Sequence, residues 1–392
     1  MTSPAQGPWR LPRRWWAAVA LLLAVAVASR TQPEPPAPAA AYEWQLPKGF
    51  PVPLVPASSP VTAARVELGR YLFYDPRLST TGTYSCASCH RQELAFTDGR
   101  ARAVGATGQE HPRSAMSLAN VAYNATLGWD EPHLHRLEHQ ARVPMFNEHP
   151  VELGLAGHED EVLARLQADQ HYRRLFAAAF PNQPGPLSLQ QVLEALASFE
   201  RTLISGDSAF DRWLYGQDPS VLSASARRGL ALFFSERLGC AGCHRGFNFS
   251  GPVVYEGAPA PEAEFHNTGL YNLDGQGAYP PDNPGLLRFT HEPADMGRFR
   301  APTLRNIALT APYMHDGSLP TLDAVLDHYA SGGRTDSPLK DPALRGFHLS
   351  SEERQDLIHF LESLTDQGFV SDPRFGDPFR AETVERVGAD RR

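Results

Sequence analysis

Every cysteine in this chain lies in one of two copies of the same pentapeptide, Cys86-Ala87-Ser88-Cys89-His90 and Cys240-Ala241-Gly242-Cys243-His244. Two thiols three residues apart on one helical turn can reach the two vinyl groups of a single haem. The histidine that follows then points at the iron as its proximal ligand. Zinc held by two C-x-x-C pairs would leave both histidines unexplained, and a disulfide reading stays open in an oxidising compartment. The spacing therefore predicts two covalently attached haem c groups, held by Cys86, Cys89 and His90 and by Cys240, Cys243 and His244.

The chain around the motifs is also duplicated. Leu68-Gly69-Arg70-Tyr71-Leu72-Phe73-Tyr74 precedes the first motif, and Gly229-Leu230-Ala231-Leu232-Phe233-Phe234 precedes the second. Each half later carries an amphipathic helix. Ser188 and Gln191 form a capping box before Val192, Leu193, Leu196, Phe199 and Leu203. Ser350 and Glu353 do the same before Leu357, Ile358, Leu361 and Leu364. Alternating strand patterns are scarce, so the fold class is mainly α, with two cytochrome c-like helical domains. At ~100–200 residues per domain, 392 residues allow two. We place them at 61–205 and 206–375, joined near Ser205–Asp207 and followed by a tail, 376–392.

The first 28 residues carry Arg10, Arg13 and Arg14 and no acid. Trp15 to Ala28 is an uncharged run too short to span a bilayer, and Ala26-Val27-Ala28 has the form of a cleavage site. This reads as a signal peptide over 1–28, which places the mature chain in the periplasm with no stable membrane span. An uncleaved N-terminal tether is the alternative. Residues 29–60 are proline-rich and read as an extended linker, not a folded unit. Without the first 28 residues, 33 basic residues face 44 acidic ones, a net charge of −11 against −8 for the whole. An acidic chain with no basic block is no candidate for nucleic acid.

Beyond the cysteines, the sequence resembles the bacterial di-haem cytochrome c peroxidases and their MauG-type relatives from about residue 60 to 370. The residues that carry the likeness are Leu72-Phe73-Tyr74-Asp75-Pro76-Arg77-Leu78-Ser79, Trp129-Asp130, Leu137-Glu138-His139-Gln140, Pro302-Thr303-Leu304-Arg305-Asn306 and Thr310-Ala311-Pro312-Tyr313-Met314-His315-Asp316-Gly317. The run from Pro144 to Gly154 is similar to the methanobactin-operon di-haem enzymes (the MbnH type), which oxidise a tryptophan on a partner protein.

The resemblance implies roles residue by residue. In respiratory members a histidine sixteen residues after the first haem's histidine closes that haem. Here the position is Ala106, which implies an open, peroxidatic haem at His90 unless His111, His133 or His135 swings in. Fourteen residues after the histidine of the P-Y-x-H-x-G motif, where respiratory members carry methionine and MauG carries tyrosine, this chain has Tyr329. Leu322, Val325, Leu326 and Tyr329 share a helical face capped by Thr321. His244 and Tyr329 are thus expected to ligate the second, electron-transfer haem, with Met296 and Met314 as rivals. An anionic oxygen ligand stabilises high iron charge, whereas methionine raises the reduction potential. Gln140, Pro144 and Glu152 map to the distal pocket, with Glu152 as acid–base and Glu148 as its competitor. Trp129 maps to an indole between the haems. Leu238 stands where MauG carries a tryptophan, and Trp213 reads as a packing residue. A calcium ion would use the Thr310 and Pro312 carbonyls, with Ser114 in place of the family's asparagine. His266, Asp274 and the loop from Gly269 to Gly285 read as surface connection or partner contact.

The implied activity is a peroxidase-like oxidoreductase. It reacts with hydrogen peroxide at the first haem and oxidises a partner protein's side chain, tryptophan being suspected, by long-range electron transfer. Two alternatives stay open. One is a respiratory or detoxifying cytochrome c peroxidase fed by a small cytochrome. The other is a non-catalytic di-haem electron carrier.

Overall fold

The helix preceding each cysteine motif carries a glycine, and those two glycines fix the architecture. The chain is described by a computed structural model over residues 42–380, apart from 184, 217, 334 and 335. The helices before and within the first half are α1 (Ala63–Tyr74), α2 (Cys86–Cys89), α3 (Leu137–Gln140), α4 (Arg142–Phe146), α5 (Glu159–Ala168), α6 (Gln170–Ala179) and α7 (Leu189–Arg201). The second half carries α8 (Ala209–Gly216), α9 (Ala224–Phe233), α10 (Cys240–Cys243), α11 (Leu287–Thr290), α12 (Leu322–Ala330) and α13 (Ser351–Glu362). Extended structure is limited to short elements. β1 (His266–Asn267) and β2 (Arg298–Phe299) pair antiparallel, His266 opposite Phe299.

In the first half, α1 crosses α7 at Gly69. A Cβ there would lie 1.9 Å from the Ala195 carbonyl oxygen and 2.9 Å from the Phe199 Cβ. In the second half, α9 crosses α13 at Gly229, where a Cβ would lie 1.9 Å from the Asp356 carbonyl and 2.9 Å from the Phe360 Cβ. Only hydrogen at these sites lets the two backbones approach so closely. One turn on, Phe73 meets Phe199 at 5.3 Å between ring centres and Phe233 meets Phe360 at 5.2 Å. Both expected capping boxes form, at Ser188–Gln191 and Ser350–Glu353. Each long helix is therefore started by its own side chains and then clamped by its partner.

The duplication extends to a residue pattern absent from the motifs. Asn120 and Asn306 both adopt φ of 60°. The N–H of each donates to a leucine carbonyl, Leu203 and Leu364 respectively. The side-chain oxygen of each accepts the N–H two residues further along, Ser205 and Asp366. The junction is thus a buried polar knot, closed by the Ser205 hydroxyl on Asp366.

The apolar core gathers in two large clusters and one small one. The first is built around Leu68, Phe73, Phe96, Leu196 and Phe199, and Phe369 and Phe375 from the far end of the chain also pack into it. The second centres on Phe210, Phe233, Phe249, Leu357 and Phe360, with Trp213 packed against it as expected. The third, Leu270, Tyr279 and Phe299, holds Trp129, Tyr271, Met296 and Met314 at its edge.

The proline-rich linker is extended over 42–60 but does not act as a free tether there. Phe50 is buried, 4.9 Å from the Phe247 ring and under the Arg305 guanidinium. The Pro51 carbonyl accepts the Tyr123 hydroxyl, and the Val52 carbonyl accepts the Glu256 N–H. Prolines remove backbone donors, so this stretch docks through its carbonyls and rings. The signal segment, 1–28, and the tail beyond 380 lie outside the described residues. Among the described residues, no helix is long and apolar enough to cross a membrane.

Both crossings should resist any added carbon. Gly69→Ala or Gly229→Ala is expected to cost about 3 kcal/mol, the upper range of overpacking, because the clash is with backbone. Thermal unfolding of the haem-loaded protein would show this as a lower Tm; a wild-type Tm in either variant would contradict the clamp.

Candidate functional site

A histidine can ligate a metal only through a nitrogen that carries no proton. The His90 Nδ1 lies 2.8 Å from the Phe96 carbonyl, and the His244 Nδ1 lies 3.0 Å from the Phe249 carbonyl. A carbonyl can only accept, so Nδ1 carries the proton in both rings and Nε2 keeps the lone pair. Both carbonyls are aimed by a bulky residue in the left-handed region, Phe96 at φ 63° and Phe249 at φ 50°. Such strain, on the order of 1–3 kcal/mol per residue, recurs at the same place in both halves. Burial holds both imidazoles below their ordinary pKa, with the Phe96 and Phe249 carbonyls acting in the opposite sense. None of the four cysteines is in a disulfide, and burial pushes each thiol upward.

Around the second motif the side chains enclose a cavity of about 250 Å³. Cys240, Cys243 and His244 form one part of its lining, and α12 supplies Leu322, Val325, Leu326 and Tyr329 together. The expected helical face is therefore the face that meets the cavity, with Thr321 capping the helix by accepting the Ala324 N–H. Tyr329 is half-buried in that lining, and desolvation there, followed by the nearby Cys243 and Cys240 thiols and Tyr279, raises its phenol well above the usual range. Among the described residues, no hydrogen bond engages its hydroxyl. Met314 lines the same cavity, whereas Met296 does not. Two thiols, one lone-pair nitrogen, a largely apolar wall and a phenol oxygen facing the cavity fit a haem covalently held and closed by a protein oxygen.

The first motif meets a different set of groups. Gly105 packs so closely on the segment carrying Glu152 that a Cβ would lie 1.9 Å from the Val151 carbonyl. The Ala106 N–H donates to the Glu152 carbonyl at 2.7 Å. The position occupied by the closing histidine in respiratory relatives is thus tied by its backbone to the acid–base candidate. Burial raises the Glu152 carboxyl to about 7, and its charge bears on both Cys86 and Cys89. Its competitor Glu148 is exposed. Pro144 is joined to this segment through its carbonyl, which accepts the Leu153 N–H at 2.8 Å, and half-buried Gln140 ends α3. Beside it, Glu138 is buried on Arg201 at 3.0 Å. His111 accepts the Arg113 N–H and is pushed down to about 4, by burial first and then by Arg113 and Arg288. His133 and His135 are exposed, with the His135 ring on the Ala125 carbonyl.

Trp129 is half-buried at the edge of the third apolar cluster. Its indole N–H donates to the Ser114 carbonyl at 3.1 Å, its ring centre is 6.5 Å from His315, and it lines the cavity. Asp130 beside it is buried in a double contact with Arg113 at 2.6 Å. Leu238 lines the cavity where an indole was expected in MauG. Thr310 and Pro312 follow as backbone groups near Met314, whose carbonyl accepts the Ser114 hydroxyl at 3.3 Å. His266 is held by Asp341 at 2.7 Å. Asp274 is exposed and accepts the Gln276 and Ala278 N–H groups, which shapes the surface loop.

Two site residues escaped the sequence reading. Arg300 is buried in the cavity wall with only neutral acceptors, the Gly128 and Ala301 carbonyls and the Met116 sulfur, and burial lowers it to about 10. Glu200 is buried beside Cys86 and raised by that burial to about 8. Glu200 stands four residues after Leu196, a charge on an apolar stripe, and that was its one available signal. Nothing local marks Arg300.

The likeness to known proteins agrees with this geometry. A family pattern described as di-haem cytochrome c peroxidase matches residues 63–219, and one described as RoxA-like, cytochrome c-like, matches 298–331. The methylamine utilization protein MauG of Methylorubrum extorquens is 39% identical, over 79% of this chain and 80% of its own length. The cytochrome c551 peroxidase of Pseudomonas aeruginosa is 31% identical, over 78% and 80%. A crystal structure of a MauG-like protein associated with microbial copper homeostasis superimposes with a TM-score of 0.84 at 45% identity, covering 87% of this chain and all of that one.

If Tyr329 closes the second haem, Tyr329→Phe will keep both haems covalently bound while one low-spin ferric EPR signal converts to high-spin. Met314→Leu will leave that signal intact. The opposite pattern would transfer the ligand role to Met314.

Proposed function

Because the chain belongs to the di-haem cytochrome c peroxidase and MauG family, an oxidoreductase family of two haem c groups acting on peroxide, we propose that it oxidises a side chain of a partner protein. The observation that carries this reading is Tyr329, which lines the cavity that also holds His244 and both thiols and whose hydroxyl has no hydrogen-bond partner among the described residues. Haem at the two motifs supplies peroxide binding at one centre and storage of oxidising equivalents at the other. An oxygen donor at Tyr329 favours that storage over ready exchange with small cytochromes.

The residues around the first motif handle protons. Splitting peroxide requires one proton to move from the oxygen that is bound to the oxygen that leaves as water. Glu152 is suited to this, because burial brings its carboxyl to about 7, where taking and returning a proton are comparably easy. Pro144 holds the same segment through its carbonyl on the Leu153 N–H, and Gln140 is assigned to the same pocket. Ala106 leaves no side chain long enough to close the site. Two electrons are consumed per peroxide and are recovered from the partner, with tryptophan as the suspected donor. Trp129, in the cavity wall and bonded through its indole N–H to the Ser114 carbonyl, assists passage between the two centres.

Several finer points belong to the same proposal: domains at 61–205 and 206–375, export to the periplasm through the segment 1–28, and a calcium ion at the Thr310 and Pro312 carbonyls. The competing reading, a peroxidase fed by a small cytochrome, is favoured by Met314, which lines the same cavity.

Glu152→Gln removes the proton carrier while keeping its shape. The peroxide reaction of the ferric protein should slow by ~10²–10⁴-fold, the usual contribution of such a group. In the wild type the rate should rise with pH through about 7, as the carboxyl ionises and becomes able to accept the peroxide proton. Stopped-flow pH profiles check both; a variant that keeps the wild-type rate and inflection would remove Glu152 from the step.

A further inference from the structure

A partner too large to enter the protein must exchange electrons with the second centre through the protein surface. Leu238 cannot carry them, because an aliphatic side chain is not oxidised at accessible potentials. A different set of rings leads outward from the cavity. His315 and Phe299 both line it, stacked at 3.7 Å between ring centres. Tyr279 lies 6.2 Å from His315, and Tyr271 lies 5.3 Å from Tyr279.

The two tyrosines differ in where a proton can go. Tyr279 is buried, and its hydroxyl donates to the Asn267 side-chain oxygen at 2.9 Å, a neutral amide. Tyr271 is half-buried, and its hydroxyl donates to the Asp316 carboxylate at 2.5 Å. A phenol gives up an electron readily only when its proton has a base to receive it, and a carboxylate is such a base where an amide is not. The other Asp316 oxygen accepts the Ser318 N–H at 3.0 Å, which holds the carboxylate facing the Tyr271 hydroxyl. Two residues on, Leu273 is 62% exposed, an apolar side chain at the tip of the loop that carries Tyr271.

We propose that Tyr271, with Asp316 as its proton acceptor, is the port through which the second centre draws electrons from the partner protein. The inference rests on the proposed protein-oxidising function. Tyr271 gives one electron inward past Tyr279 and His315, to the centre oxidised by hydrogen peroxide, and its proton moves to Asp316 Oδ2. The resulting tyrosyl radical takes one electron from a side chain of the docked partner, and the proton returns from Asp316 to the phenolate oxygen. The partner side chain releases its own proton to water, and two such transfers balance one peroxide. Tyr279 passes the charge without holding it.

The test uses the full-length, haem-loaded, fully ferric protein with one equivalent of hydrogen peroxide, no partner, and the spin trap 2-methyl-2-nitrosopropane. Peptide mass spectrometry should place the adduct on Tyr271, and rapid-freeze EPR should show a tyrosyl signal. Tyr271→Phe should lose both and slow the decay of the oxidised state, judged optically, by at least severalfold. Tyr271→Trp restores an oxidisable ring and should restore an adduct at position 271. Asp316→Asn, with an intact optical spectrum, should suppress the adduct while Tyr271 is still present. An adduct on Trp213, or the same yield and decay in Tyr271→Phe, overturns the port while leaving the protein-oxidising reading in place. A ferric protein whose optical spectrum ignores peroxide overturns both.

Discussion

A single hydrogen bond, made twice, decides what the two cysteine motifs can do. The imidazole of His90 gives its Nδ1 proton to the Phe96 carbonyl, and His244 gives its own to Phe249. Each bond fixes one tautomer and one ring direction, and so presents Nε2 to the iron position. Each also requires a phenylalanine at positive φ. That strain survives only because the rings are packed from behind. Phe96 meets Phe73 at 6.0 Å, and Phe249 meets Phe233 at 6.0 Å. Phe73 and Phe233 stand one turn beyond Gly69 and Gly229. The close helix crossings therefore support the ligand geometry as well as the core.

The two halves share this frame and diverge in what faces it. In the second half, α12 delivers a phenol to the histidine's cavity. In the first, Gly105 and Ala106 lie against Val151 and Glu152, so the chain presents a raised carboxyl where a closing ligand would otherwise reach. Duplication thus supplies two equivalent haem-attachment turns, and the loops around them differ: a raised carboxyl faces the first and a phenol the second. Trp129 and the Tyr279–Tyr271 pair belong to the third cluster, with His315 stacked on its Phe299, and that cluster belongs to neither frame.

Much of this was legible where the signal is local. The C-x-x-C-H spacing, the capping boxes at Ser188 and Ser350, and the α12 face of Leu322, Val325, Leu326 and Tyr329 are all read within a few residues, and all appear as expected. The small residue before each motif was visible as part of a repeat. Its purpose was not, because the atoms it spares, the Ala195 and Asp356 carbonyls, lie more than a hundred residues away. The same holds for Gly105 against Val151, for Asn120 against Ser205, and for the docking of the proline-rich stretch through Phe50. Arg300 was missed because its meaning lies in what surrounds it, two carbonyls and a sulfur, of which the Gly128 carbonyl and the Met116 sulfur come from distant parts of the chain. Positive φ at Phe96 and Phe249 runs against residue preference, so sequence argues the wrong way there.

The central claim is that one haem stands open and the other is closed by His244 and Tyr329, so that the resting ferric protein is already competent. Addition of one equivalent of hydrogen peroxide to the fully ferric protein, with no reductant, followed by EPR and optical spectroscopy, tests this most directly. The account predicts loss of both ferric signals and a long-lived oxidised state. A ferric protein that stays inert, and reacts only after one haem is first reduced, would contradict it.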